Sequence, residues 1–328
     1  TYTWTAAAGN PSNGVAFSPT ATASYSVIGT SLAGCTNTTP AVITVTVNSL
    51  PNVSASSSSS AICIGSTVSL AGSGANTYTW NGGVINATAF SPTSTTGYTV
   101  TGTDGNSCQN TATISVVVNP IPTVSADPSS SVICFGKSVT LSGSGANTYT
   151  WTNGVTNNTA FSPTSTATYS VIGTSAAGCV SSNTGVVSVT VNSLPNVTAS
   201  TANTVICFGG TTTVNGGGAS TYSWSGGITN ASSFSPASSS VYTVTGSDTN
   251  GCQNTATTSV VVNALPVLTV ASTFTLCVGE QATLTASGAN TYTWSNSSTG
   301  NNIQVSPTVT TNYTVNATDN NGCNNFAV

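Results

Sequence analysis

Apolar and polar side chains alternate along this chain with a period of two. In 42–48 (VITVTVN), 113–119 (TISVVVN) and 186–192 (VVSVTVN), a β-branched residue stands at every second position. Successive side chains of a strand point to opposite faces, so this alternation predicts half-buried strands. No run has the 3.6-residue period of a helix. Segment 120–192 shows the pattern in full: PTVSAD, SVTLSG, TYTW, a strand around Phe-Ser-Pro, TYSVIGT and VVSVTVN. Turns rich in Gly, Asn, Ser and Pro separate the strands.

The strands recur as a set. Gly-Ala-Asn-Thr-Tyr-Thr-Trp stands at 74–80, 145–151 and 288–294, GASTYSW at 218–224 and a clipped TYTW at 1–4. Cys63 precedes Trp80, Cys134 precedes Trp151, Cys207 precedes Trp224 and Cys277 precedes Trp294, always at the same interval. Cys108, Cys179 and Cys252 lie 28 after a Trp, Cys323 lies 29 after and Cys35 lies 31 after. Phe-Ser-Pro follows at 17–19, 90–92, 161–163 and 234–236, with Val-Ser-Pro at 305–307. Then come Tyr25, Tyr98, Tyr169, Tyr242 and Tyr313, each opening a Tyr-x-Val strand. Ordered self-similarity at one period makes the chain a tandem array.

The sequence predicts a partial domain at 1–48 without its first strands, domains at 49–119, 120–192 and 193–263, and one at 264–328 lacking its last strand. The joints are Asn48-Ser-Leu-Pro51, Asn119-Pro-Ile-Pro122, Asn192-Ser-Leu-Pro195 and Asn263-Ala-Leu-Pro266. Proline ends a ladder and stiffens a short joint, which predicts a semi-rigid, elongated rod. About seven short strands per domain, with a Trp on the third, is the pattern of a small immunoglobulin-like β-sandwich. The fold class read from sequence is therefore all-β. Units alternate between YSVIGTS…VTVNSLPNV and YTVTG(T/S)D…CQNTAT, so the larger repeat is a pair of domains. The chain opens inside one repeat and stops soon after Cys323, so it reads as an internal segment of a longer polypeptide.

The core is read from the repeated large residues: Trp4, Trp80, Trp151, Trp224 and Trp294; Tyr98, Tyr169, Tyr242 and Tyr313; Phe90, Phe161 and Phe234. Leu70 and Val100 join them. Exposed aromatics could instead form a sugar-stacking platform, but a Trp on that strand belongs between the sheets. Domains of some 70 residues need such burial, worth roughly 1.5–3 kcal/mol per large side chain.

Composition narrows the function. Charged residues make up 2% of 328 residues, with one Lys or Arg, five Asp or Glu and no His. Hydroxyls and amides supply the wet surface instead. The single Lys137 cannot form a basic face for nucleic acid or an anionic membrane. No apolar run reaches the ~18 residues of a membrane helix, which excludes membrane insertion through one. Without His, without paired carboxylates in one unit and without a base beside any Ser or Thr, the segment reads as no enzyme. No cofactor or metal is expected. The turns TDGNSC, SDTNGC and TDNNGC bring one carboxylate each, short of the several oxygens a calcium site collects. Asn-x-Ser/Thr triplets, such as those at Asn86, Asn157 and Asn230, are expected by chance here.

The nine cysteines are the informative chemistry, and with no His they point to disulfides in an oxidising compartment. Two pairings are open. One closes within units: 63–108, 134–179, 207–252 and 277–323. The other is staggered: Cys63–Cys179, Cys134–Cys252 and Cys207–Cys323, with partners of Cys35, Cys108 and Cys277 beyond the segment. Cys134 reads as lying in the turn between the first two strands, at one end of a sandwich. Cys179 reads as lying in the hairpin before the last strand, at the other end, some 25 Å away at about 3.3 Å per residue. A disulfide needs Cα atoms within ~7 Å, so the staggered scheme is preferred.

The motifs ICxGxxVxLxGxGAxxYxW, SPTxTxxYxV and GTDxNGC resemble the immunoglobulin-like repeats of giant secreted Bacteroidota proteins, the cell-surface adhesins and gliding filaments exported by the type IX system. The resemblance covers nearly the whole chain. It implies secretion, surface attachment and a structural or adhesive role. The resulting expectation is a non-catalytic segment of an extracellular filament or adhesin stalk. Its partners would be further copies of the same repeats, in the same chain or bundled laterally since charge repulsion is nearly absent. Alternatives are a binding module for surface glycans or proteins, and spacer domains of a secreted enzyme.

Overall fold

A computed structural model describes residues 1–7, 9–271 and 275–328. Its strands follow the repeats. The first segment holds β1 (Tyr2–Thr5), β2 (Ala23–Gly29) and β3 (Ala41–Val45). The second holds β4 (Ser54–Ser57), β5 (Ala61–Cys63), β6 (Val68–Ser73), β7 (Thr77–Trp80), β8 (Ala89–Phe90), β9 (Thr96–Thr103) and β10 (Gln109–Asn119). The third repeats this as β11 (Ser125–Pro128), β12 (Val132–Cys134), β13 (Val139–Ser144), β14 (Thr148–Trp151), β15 (Ala160–Phe161), β16 (Ala167–Thr174) and β17 (Gly185–Asn192). The fourth has β18 (Thr198–Thr201), β19 (Val205–Cys207), β20 (Thr212–Gly217), β21 (Thr221–Trp224), β22 (Ser233–Phe234), β23 (Ser240–Ser247) and β24 (Gln253–Asn263). The last has β25 (Thr269–Val270), β26 (Ala282–Ser287), β27 (Thr291–Trp294), β28 (Asn302–Val305), β29 (Val315–Thr318) and β30 (Asn324–Ala327).

By packing the chain divides into two compact units, Thr1–Asp127 with Leu141–Thr159 and Tyr169–Val187, and Pro128–Thr140 with Ala160–Thr168 and Ser188–Val328. In the first unit, β1, β2 and β3 form an antiparallel sheet. Beside it in sequence, β4-β6-β8 and β5-β10-β9-β7 form two sheets with the strand order of a small immunoglobulin-like sandwich. Val68 and Leu70 of one sheet meet Trp80, Tyr98, Val100 and Val116 of the other in a single core. Phe90 lies edge-on to Tyr98, with ring centroids 5.4 Å apart. In the third repeat, β14 pairs with Val171–Thr174 of β16 in the register Trp80 has with Val100.

In the second unit, β18-β20-β22 and β19-β24-β23-β21 repeat the same sandwich, with Val197, Val214, Trp224 and Val244 at its centre. The last repeat pairs β25-β26-β28 and β27-β29-β30 around Trp294, Ile303, Val305 and Val315. The chain is thus an all-β tandem of small immunoglobulin-like sandwiches.

Three details differ from the sequence reading. In the three middle repeats the Ile-Cys segment is a three-residue strand rather than part of a turn, so Trp80, Trp151 and Trp224 are carried by the fourth strand of their repeats. That strand pairs parallel to the last one, Ala61 opposite Val117 and Cys63 opposite Asn119, and it buries Ile62. Three residues are too few to display a period of two. Tyr313 lies just before β29 instead of within it. The last repeat, expected to lack its final strand, forms β30, four residues against the eleven of β10. The hairpin turn at Asp319 is enough to start that pairing.

Trp80, Trp151, Trp224, Trp294, Tyr98 and Tyr169 are buried, as are Leu70 and Val100. Trp4, Phe90, Phe161, Phe234, Tyr242 and Tyr313 are half-buried. The indole N–H of Trp80 donates to Asn86 Oδ1 (3.0 Å), which also accepts from the Gly72 amide (2.7 Å). Asn157 serves Trp151 and Gly143, and Asn230 serves Trp224 and Gly216, in the same way. These three triplet asparagines therefore hold the core together through their amide oxygens.

Candidate functional site: the cysteine-linked junctions

Each junction is assembled from three local devices. The first places the upper cysteine. The Asp104 carboxylate accepts from the amides of Asn106 and Cys108 (both 2.9 Å), and the Asp104 amide donates to the Cys108 carbonyl (3.0 Å). Asp248 and Asp319 hold Cys252 and Cys323 identically. In the other repeat type a hydroxyl does this work, Ser31 for Cys35 (3.2 Å) and Ser175 for Cys179 (3.1 Å). A short oxygen acceptor four residues before the cysteine closes the loop in every repeat. The carboxylates considered as calcium ligands are engaged with backbone N–H groups. Among the described residues no three His, Cys, Asp or Glu gather as a metal site.

The second device places the lower cysteine. Cys63, Cys134 and Cys207 end β5, β12 and β19, opposite Asn119, Asn192 and Asn263. The next amide, of Ile64, Phe135 or Phe208, donates to that Asn carbonyl (2.8–2.9 Å). The lower cysteine is thus tied to the residue where the chain leaves the repeat.

The third device clamps the incoming joint. Asn110 Nδ2 donates to the Pro51 carbonyl (3.0 Å), Asn183 to that of Val124 (2.7 Å), Asn254 to that of Pro195 (3.1 Å) and Asn325 to that of Pro266 (3.0 Å). Each pair is 59 residues apart. The glycine of the Gly-Ala-x-Thr-Tyr motif lies directly against the same joint. A Cβ on Gly74, Gly145, Gly218 or Gly288 would overlap the carbonyl oxygen of Asn52, Thr123, Asn196 or Val267, and all four glycines have positive φ. The Tyr78 hydroxyl then locks the turn, donating to the Ala75 carbonyl (2.7 Å) and accepting from its amide (2.8 Å).

Gly145→Ala is therefore expected to cost about 3 kcal/mol or more, adding backbone overlap to an unfavourable φ of +92°. Gly136→Ala, with φ +83° but open space around it, should cost only about 1 kcal/mol. Hydrogen exchange in β13 and β14 of the two variants, with disulfides intact, checks the contrast. Equal losses would show that the joint does not press on the motif.

The structure joins Cys63 to Cys179, Cys134 to Cys252 and Cys207 to Cys323, with Cα separations of 5.6, 5.5 and 5.5 Å. Each bond links the lower cysteine of one repeat to the upper cysteine of the next, and Cys179, Cys252 and Cys323 are fully buried. Closure within a repeat is impossible in this register. Cys63 lies beside Asn119 at one end of the eleven-residue β10, and Cys108 precedes its other end, about 36 Å away at 3.3 Å per residue. Cys35, Cys108 and Cys277 carry free thiols.

Neither the oxygen acceptor ahead of each upper cysteine nor the asparagine that clamps each joint was read from sequence. Both are visible there once the repeats are aligned on their cysteines. An open groove of about 520 Å3 lies beside Trp294, lined by Leu276, Leu284, Val305 and Tyr313. In the second repeat β10 runs on and buries Val116 at the core, whereas β30 stops after four residues. Among the described residues no helix is long and apolar enough to cross a membrane.

No family model matches the chain, and no curated protein is similar to it. Among solved structures, a Ca2+-stabilised adhesin with which an Antarctic bacterium binds ice is 18% identical, covering 85% of this chain and 97% of that one, with a TM-score of 0.36. A 1.5-MDa bacterial ice-binding adhesin is 16% identical over 66% of this chain and 100% of that one, with a TM-score of 0.31. The N-terminal eight immunoglobulin domains of Down syndrome cell adhesion molecule are 14% identical over 93% of this chain and 57% of that one, with a TM-score of 0.29.

Proposed function

We propose that this chain is a non-catalytic structural segment of an extracellular filament or adhesin stalk. The observation that carries the reading is the covalent bond between successive repeats at all three positions where both cysteines lie in the chain. Bonds of this kind persist in oxidising surroundings outside the cytoplasm. They add nothing to a reaction and much to the transmission of load. Proline joints and clamped turns serve the same end, holding each repeat in a fixed relation to the strand that enters it.

The finer placement, in giant Bacteroidota proteins exported by the type IX system, is supported by the repeat motifs quoted above. The repeats at 1–48, 49–119, 120–192, 193–263 and 264–328 are the building blocks, and an elongated rod with further copies of the same repeats as neighbours is the assembly they suit.

The reading is tested with an antibody raised against the chain, applied to cells that produce it. Staining of intact cells, or of material they shed, is expected. Staining only after the envelope is permeabilised would overturn it.

A further inference from the structure

The three disulfides overlap. The loop closed by Cys63–Cys179 shares residues 134–179 with the loop closed by Cys134–Cys252, and that one shares 207–252 with the loop closed by Cys207–Cys323. Every peptide bond between Cys63 and Cys323 therefore lies inside at least one closed loop. Along the backbone, the way from Cys63 to Cys323 runs through most of four repeats. Through sulfur it is far shorter: across to Cys179, along the backbone only as far as Cys207, and across to Cys323.

From this connectivity we propose a further function: the disulfides form a covalent cable that limits the chain's extension whether or not its sandwiches stay folded. The inference deepens the structural role proposed above and rests on that reading only for its biological setting. The cable is made of strand already drawn out. Between Cys179 and Cys207 it follows β17, the Asn192–Pro195 joint, β18 and β19, so more than half of its residues are extended in the fold. Unfolding adds little length to such a path. The rest of each sandwich, including the Trp-bearing strand, hangs beside the cable as a closed loop that carries no end-to-end load.

A second cable runs out of step with the first. Cys108 leads along the backbone to Cys134, across to Cys252, and along the backbone again to Cys277. Its two ends are free thiols, as is Cys35 on the first cable. In a longer run of these repeats the same connectivity gives two interleaved cables, each bridging every second junction. Loss of one disulfide then leaves the other cable intact across that junction.

The test is single-molecule extension of the whole oxidised chain, held at residues 1 and 328. Under a force that unfolds every sandwich, the cable allows about 95 residues of backbone plus two bridges, roughly 330 Å at ~3.5 Å per residue. The reduced chain should reach about 1,150 Å, about 3.5-fold more. Closure within repeats would allow about 146 residues, roughly 510 Å. An oxidised contour matching the shortest of these three lengths supports the cable; either of the longer two overturns it.

Limited proteolysis gives a second reading that needs no pulling. A single cut at any joint after Cys63 should leave one band on a non-reducing gel and two after reduction. Two bands without reductant would overturn the proposal. Both measurements use purified chain, so they stand apart from the antibody result. A correct contour with no surface staining would refute the extracellular role alone.

Discussion

Trp224→Ala is expected to unfold the 193–263 repeat locally while leaving it tethered. Trp224 is 5% exposed, touches Val197, Val214 and Val244 in one core, and donates its indole N–H to Asn230. Truncating a buried Trp costs about 3–5 kcal/mol, and Asn230 loses one of its two donors as well. A repeat of some 70 residues holds about 4–10 kcal/mol in all, so little would remain. The sheet that carries Trp224 should lose its amide protection about a hundredfold or more. Yet Cys207 and Cys252 stay bonded to Cys323 and Cys134, so the repeat cannot leave its neighbours. Hydrogen exchange across β21, β23 and β24, compared with β9 and β10, checks the result. Unchanged protection in β21 would show that the Trp is not the keystone of that core.

Replacing Cys134 by Ser together with Cys252 by Ala should loosen the junction that this bond closes. The bond spans 118 residues, a loop whose closure removes about 5 kcal/mol of unfolded-chain entropy in the simplest treatment. Measured disulfides more often contribute 2–4 kcal/mol, so a loss of about 3 is expected. Ala suits position 252 because the sulfur there is fully buried and a hydroxyl would lack a partner. Because the array has several cores, the loss should be read repeat by repeat rather than from one transition. Exchange should quicken in β12, β17 and the Asp248 turn, which the bond ties together, and remain unchanged near Trp80. Uniform loss along the chain would mean that the repeats unfold as one block.

Both expectations depend on how much of this protein its residues declare. The tandem organisation was legible because each repeat presents the same Trp, Tyr, Phe-Ser-Pro and cysteines in one order. Period-two alternation was equally legible, since a half-buried strand must put alternate side chains in the core. The short Ile-Cys strand was not. It is three residues long, and what makes it a strand is the last strand lying parallel beside it, which no local pattern records. Tyr313 was misplaced for a related reason. The residues around it have strand character, but the ladder that would pair them stops at Ala327.

The amide and carboxylate contacts were hidden differently. Asn110 reaches Pro51, and Asp104 reaches Cys108, through residues that read as ordinary turn formers. Only folding shows that one seals the joint and the other closes the cysteine loop. The motif glycine was conspicuous in sequence, yet its reason lies outside its own turn, in the carbonyl of Asn52 or Thr123 pressed against it.

From residues alone, then, come an all-β array, its period and the count of cysteines available for bonding. Tertiary structure decided which sulfurs meet. Sequence distance places Cys63 nearer to Cys108 than to Cys179, but a strand is stiff and its two ends lie far apart. The eleven residues of β10 hold the near pair at opposite ends of one sandwich, while the chain's turn into the next repeat brings the distant pair to 5.6 Å.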